Sequence, residues 1–354
     1  MTRMRNIVLG GLAALAIGGA ASSALAEESG SFENRLSGAT IGLPLGALPP
    51  AGLYTGLETA YLGMPQGVPS SGSFLAAPGV PPGAIRVTLP AIANAVPLLY
   101  VPGWNFLGAT YAMSVVQAFY ANHGCITGSC GGVGFFAGGA NQFNGGGFVT
   151  ANTTWNPITL SWNLGNGFFF SGAFNFMGPD GTKSNGTLAQ VTPNPDYWTL
   201  EPAFALSYLS GTWNLTGNFF YDINTRTQGT CCVGPPLGGG AGITSGNMFF
   251  GDLHALYKMG KWSFGPVGSF QVQTTADTGC SAVQTAAGIC NRFGYAQVGG
   301  LVGYDFGPVD LQIWAVDAVA SQNAAGGTGT IEVYTRLGFR LWGPEAPKPL
   351  VAKN

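Results

Sequence analysis

Charge is what this chain has least of. Only 28 of its 354 residues are charged, 13 basic and 15 acidic, where a soluble domain carries roughly 25%. A surface that meets water normally needs more than this, whereas a wall that meets lipid does not. Setting aside Arg3 and Arg5 leaves 11 basic and 15 acidic residues, 11 − 15 = −4 with His neutral. That balance excludes a basic nucleic-acid footprint and a strong field for steering a charged partner. Long apolar runs are missing too: beyond Ala26 there is no uninterrupted stretch of 18 or more apolar residues, so no spanning helix is expected. Histidine is reduced to His123 and His254, and neither a G-x-S-x-G elbow nor an H-E-x-x-H pair occurs, so no enzyme is expected. The six cysteines lack the C-x₂-C spacing of zinc sites. No metal or cofactor is expected.

What is present begins with a leader. Arg3 and Arg5 supply a positive start, Ile7 to Ala21 an apolar core, and Ala24-Leu25-Ala26 a small-residue cleavage site. This is the build of a secretory signal peptide over 1–26, cleaved after Ala26. The mature chain then has 354 − 26 = 328 residues.

The rest alternates. From Thr330 to Trp342, Ile331, Val333, Leu337, Phe339 and Leu341 point one way, while Glu332, Tyr334, Arg336 and Arg340 point the other. Side chains of a strand switch faces at every residue, so one face is greasy and the other polar. Further strands are predicted at Trp198–Leu209, Trp213–Ile223, Met248–Lys258, Trp262–Thr274, Phe293–Tyr304 and Val309–Ala320. Reading backwards adds Phe168–Met177, Phe148–Leu164, Trp104–Tyr120, Ile85–Val101 and Leu53–Gly63, for twelve in all. Pro90 and Pro97 interrupt Ile85–Val101, and Pro202 and Pro266 inside two other strands suggest bulges. Connections alternate short with long, as they do in an outer-membrane barrel with periplasmic turns and external loops. Polar backbone in lipid must be fully paired, so the sheet must close. The fold class is therefore all-β: an antiparallel transmembrane β-barrel over 52–342. An irregular segment (27–51) precedes it on the rim or in the lumen as a plug, and a periplasmic tail (343–354) follows.

Parity assigns the polar face to the lumen. It carries Glu201, Asp222, Asp252, His254, Lys258, Gln271, Gln273, Asp310, Glu332, Arg336 and Arg340. These form either a solute path or a packed interior whose charges satisfy one another. All six cysteines fall in long connections: Cys125, Cys130, Cys231, Cys232, Cys280 and Cys290. Export permits disulfides, and six cysteines allow 15 pairings. The simplest arrangement bridges 125–130 and 280–290 locally. Cys231 and Cys232 bond each other only with strain, which leaves a link between loops open.

The run Asp196-Tyr197-Trp198-Thr199-Leu200-Glu201-Pro202, with Trp213-Asn214-Leu215, Tyr221-Asp222-Ile223-Asn224-Thr225, Gly260-Lys261-Trp262-Ser263 and Gln273-Thr274-Thr275-Ala276-Asp277, resembles the meta-pathway phenol-degradation family of outer-membrane proteins. Val302-Gly303-Tyr304-Asp305-Phe306-Gly307 and the stretch Asn94 to Val101 are similar as well. The resemblance covers nearly the whole mature chain. It implies a transporter, with passive uptake of small hydrophobic, often aromatic, compounds through the outer membrane. Outer-membrane lipid and the barrel-insertion machinery are then its partners. Two departures stand out: the loop cysteines, and a tail after the last strand that moves any insertion signal to Phe339–Trp342. Other readings of the same barrel are a general small-solute porin and a structural or surface-interaction barrel with a closed lumen.

Overall fold

A computed structural model describes residues 34–62, 87–88, 91–122, 125–126, 129–130, 149–182, 195–227, 244–280, 292, 294–322 and 331–344. Twelve long strands build the wall: β1 (Gly52–Leu62), β2 (Ala91–Val101), β3 (Ala109–Asn122), β4 (Thr154–Gly165), β5 (Phe168–Met177), β6 (Thr199–Leu209), β7 (Trp213–Asn224), β8 (Met248–Met259), β9 (Trp262–Gln273), β10 (Gly294–Asp305), β11 (Val309–Gln322) and β12 (Ile331–Trp342). Each pairs antiparallel with its sequence neighbours, and β1 pairs with β12 from Leu53↔Trp342 to Leu62↔Glu332. The sheet closes into a barrel, which leaves no edge to face lipid.

Connections at one end are tight. Asn166 and Gly167 link β4 to β5 with φ of 51° and 85°, a left-handed pair of the kind that two-residue hairpin turns require. Gly260 and Lys261 link β8 to β9, with Gly260 alone in the left-handed region at φ 61°. The opposite end carries the long connections, and both ends of the wall, Gly52 and Trp342, lie at the turn end. Alternation holds strand by strand. On β12, Glu332, Tyr334 and Arg336 are buried while Leu337 and Leu341 are 39% and 54% exposed. Leucine, phenylalanine and tryptophan left facing out around a whole wall mark a surface made for lipid. At the turn end this face ends in aromatic pairs. Trp262 meets Tyr304 at 4.7 Å and Trp213 meets Tyr257 at 5.1 Å between ring centroids, a girdle at the membrane–water boundary.

The strand series matches expectation, with local corrections. The second strand is shorter than predicted: it begins at Ala91, and Val87–Thr88 pairs instead in a small separate sheet with Cys125–Ile126 and Ser129–Cys130. The strands expected from Trp104 and Phe148 begin at Ala109 and Thr154, each preceded by a two-residue strand, Asn105–Phe106 and Val149–Thr150. Pro202 and Pro266 do not make bulges. Leu200↔Ile223 is followed by Ala203↔Phe220, and His254↔Val267 by Tyr257↔Phe264, so rungs drop out beside each proline while the register is kept. A proline lacks only the N–H, and losing one donor interrupts a ladder without adding a residue to it. Pro157 on β4 does sit at a register shift, against β3 between Ala112 and Ser114 and against β5 between Phe174 and Phe176.

Inside the barrel, residues 34–51 form no strand. They fold into successive turns, Ile41 N–H to Gly38 O (3.2 Å), Leu43 N–H to Thr40 O (3.1 Å) and Ala47 N–H to Pro44 O (2.8 Å). Gly38 and Gly42, both at φ 84°, permit the reversals. Ile41 is fully buried in an apolar cluster with Leu256, Leu301, Trp314 and Tyr334, and Leu45 packs on a second cluster of Phe220, Met248 and Phe250. Eight strands leave an interior that side chains just fill. Twelve leave more, and here an internal chain segment occupies it.

Candidate functional site

The lumen is a set of inward side chains bonded to that segment. Wall residues reach it because parity turns every second residue inward, and the turns leave its N–H and C=O groups pointing outward to meet them. Asp252 on β8 accepts from Gly38 N–H (2.8 Å), Thr40 N–H (2.9 Å) and the Thr40 hydroxyl (2.6 Å). His254, two residues on, accepts from Gly42 N–H at Nδ1 (3.1 Å), which places its proton on Nε2, 3.2 Å from Asn214 Oδ1. Asn218 donates to Thr40 O and Leu43 O, both at 3.1 Å. Ser207 Oγ accepts from Gly46 N–H (3.1 Å), and Ser161 donates to Gly46 O (2.7 Å).

Two ion pairs anchor opposite sides of this core. Glu201, fully buried, takes both Arg35 Nε and Arg35 Nη2, the latter at 2.7 Å, and also accepts from Asn175. The Arg35 guanidinium carbon lies 3.4 Å from the centroid of the Phe220 ring. Across the lumen Arg336 bonds Glu58 through Nε (2.9 Å) and Nη2 (2.7 Å), Gln312 Oε1 (2.9 Å), Ile41 O (2.7 Å) and Ala39 O. It stacks over Trp314 at 4.6 Å, and Trp314 lies parallel to Tyr334 at 4.9 Å. Tyr334 donates to Ser37 O (2.9 Å) and to Glu332 (2.7 Å). Charges taken this far from water persist only when paired and hydrogen-bonded, and these are.

The expected lumen residues divide into two groups. Glu201, Asp222, Asp252, His254, Gln271, Gln273, Glu332 and Arg336 are buried inside the barrel. Lys258, Asp310 and Arg340 are exposed at the turn end, where Arg340 holds Ala51 O (2.6 Å) beside the mouth. At the opposite end Gln273 bonds Asp277, whose carboxyl is pushed up by burial and drawn back by the Gly246 N–H and by Gln273. Sequence reading missed Arg35 and Glu58. Parity applied to β1 turns Glu58 inward with Tyr54, Gly56 and Ala60, and Arg35 is the lone cation between the leader and Arg86. Neither signal names a partner.

Cys280 is disulfide-bonded, and no cysteine is free among the described residues. The backbone register sets Cys125 directly across from Cys130. The leader, His123, Cys231, Cys232, Cys290 and the tail beyond Pro344 lie outside the described residues.

Residues 72–331 match the family described as "Putative MetA-pathway of phenol degradation". No curated protein matches the sequence. Among solved structures, an outer-membrane channel from Pseudomonas putida F1 is similar at 12% identity and a TM-score of 0.59, over 83% of this chain and 96% of that one. The toluene transporter TodX of Pseudomonas putida aligns at 11% identity and a TM-score of 0.43, over 92% of this chain and 98% of that one.

Proposed function

Since this chain belongs to the MetA-pathway phenol-degradation family, we propose that it is an outer-membrane channel for passive uptake of small hydrophobic compounds, aromatic ones among them. The observation that carries this reading is the closed twelve-stranded wall, apolar outside and polar inside, in a family tied by its description to phenol breakdown. The likeness in fold to an outer-membrane channel supports it. Diffusion down a gradient needs no cofactor, and consumption of the solute inside the cell keeps the gradient in place. Expression in cells of low outer-membrane permeability tests it: phenol uptake should rise while hexose uptake stays at background. Equal rises for both solutes would favour a general porin.

A second reading is a barrel whose lumen stays shut, and the internal segment 34–51 favours it. Absence of any added solute flux would select that alternative. The mature chain is proposed to begin at Glu27 after removal of the leader, with bridges 125–130 and 280–290. The final residues Phe339–Trp342 are proposed to serve the insertion machinery.

A further inference from the structure

Residues 34–51 run through the barrel in one direction. Asn34 donates to Thr199 (2.7 Å) and accepts from Asn152 (2.8 Å), at the end of the long connections. Gly46 sits deeper, on Ser161 and Ser207. At the turn end the Tyr54 hydroxyl donates to Pro50 O (2.7 Å), Arg340 holds Ala51 O, and the chain passes directly into β1. One end of the segment is thus covalently fixed to the wall through Pro49-Pro50-Ala51, and the contacts of the other end among the described residues are made by the side chains of Asn34 and Arg35.

Those contacts are unequal. The segment's middle is held mainly through its backbone, by bonds from Gly38, Thr40, Gly42 and Gly46 N–H and to Ser37, Ala39, Ile41, Leu43 and Leu45 O. Most of these are neutral bonds that water replaces at small net cost, while Asp252 on Gly38 and Thr40 and Arg336 on Ala39 and Ile41 are stronger, charge-assisted ones. Arg35 is different. It is the segment's only charge, it sits at the Asn34 end, and its partner Glu201 is fully buried. Theirs is the segment's one ion pair, both partners charged, and separating a buried, bidentate pair is a costly step of any displacement.

We infer that residues 34–51 are a hinged stopper, pivoting at Pro49–Ala51 on the turn side and latched at the long-connection side by Arg35 on Glu201. This deepens, and rests on, the reading of the chain as a channel. With the stopper seated the axial path is filled by Ile41, Leu45 and their neighbours. Releasing Arg35 lets the segment swing toward the turn-side mouth, since its fixed end is there.

Flux of phenol into lipopolysaccharide-faced proteoliposomes tests this with three full-length variants. Arg35→Ala should raise flux roughly tenfold by favouring the open state, and Arg35→Lys should return most of the difference. In the double variant Asn34→Cys with Thr199→Cys, a bridge at the Asn34 end should bring flux below the unaltered protein, and reductant should restore it; the unaltered protein under the same reductant is the control for its own disulfides. Failure of the two cysteines to bridge, or wild-type flux in the bridged protein, would overturn the stopper. No flux from the unaltered protein or from Arg35→Ala would instead overturn the channel reading beneath it.

Discussion

Arg336 shows what a single residue does in this interior. One guanidinium closes an ion pair with Glu58, caps two carbonyls of the internal segment, bonds Gln312 and lies on Trp314. Removing it strands a buried carboxylate and two carbonyls together; removing Glu58 strands only the cation, which keeps its other acceptors. Arg336→Ala is therefore expected to cost about 3–5 kcal/mol and Glu58→Gln clearly less, measured by urea unfolding of the folded protein in detergent micelles. Equal losses would show that Arg336 does not hold the segment. Alternation alone read Arg336, Glu201, Asp252 and His254 as inward, because a strand's period of two leaves no other choice. It could not pair them. Arg35 comes from a stretch with no period, and Glu58 lies 278 positions from Arg336 in the chain.

At the scale of elements, legibility followed the strength of the pattern. The later strands were readable to within a residue or two, where alternation is clean and turns carry Gly or Asn. Of the early strands, Leu53–Gly63 and Phe168–Met177 were readable as closely, while the second, third and fourth were readable in number and poorly in extent, Pro90, Pro97 and Pro157 breaking the alternation of two of them. Prolines also misled in kind: Pro202 and Pro266 interrupt a ladder while keeping its register. Among the described residues, the cysteines lie outside the wall. Cys125 and Cys130 face one another across a short hairpin, and Cys280 is bridged. Mass analysis without reductant should find a chain beginning at Glu27 and no alkylatable thiol. Free thiols at 125 and 130 would break the hairpin assignment, and a retained leader would break the export assignment.

For the whole molecule, closure was legible in the sequence. Scarce charge, an outward apolar face and connections alternating short with long require a wall in lipid, and an open edge there is excluded by the cost of unpaired backbone. The threaded segment was legible only as an absence of pattern, with rim and lumen both open to it. What chose between them is long-range: Asp252, His254, Ser207 and Arg336 each find partners in a stretch of about a dozen residues, and no local rule brings those together. The barrel thus explains location and wall, and the contents of the lumen decide transport.

The most direct test of that transport is entry of phenol, an alkane and a hexose into vesicles whose outer leaflet is lipopolysaccharide, with and without the purified protein. The account predicts that the protein speeds entry of phenol and leaves the hexose at the protein-free rate. Hexose entry accelerated as much as phenol entry, or phenol entry unchanged by the protein, would contradict it.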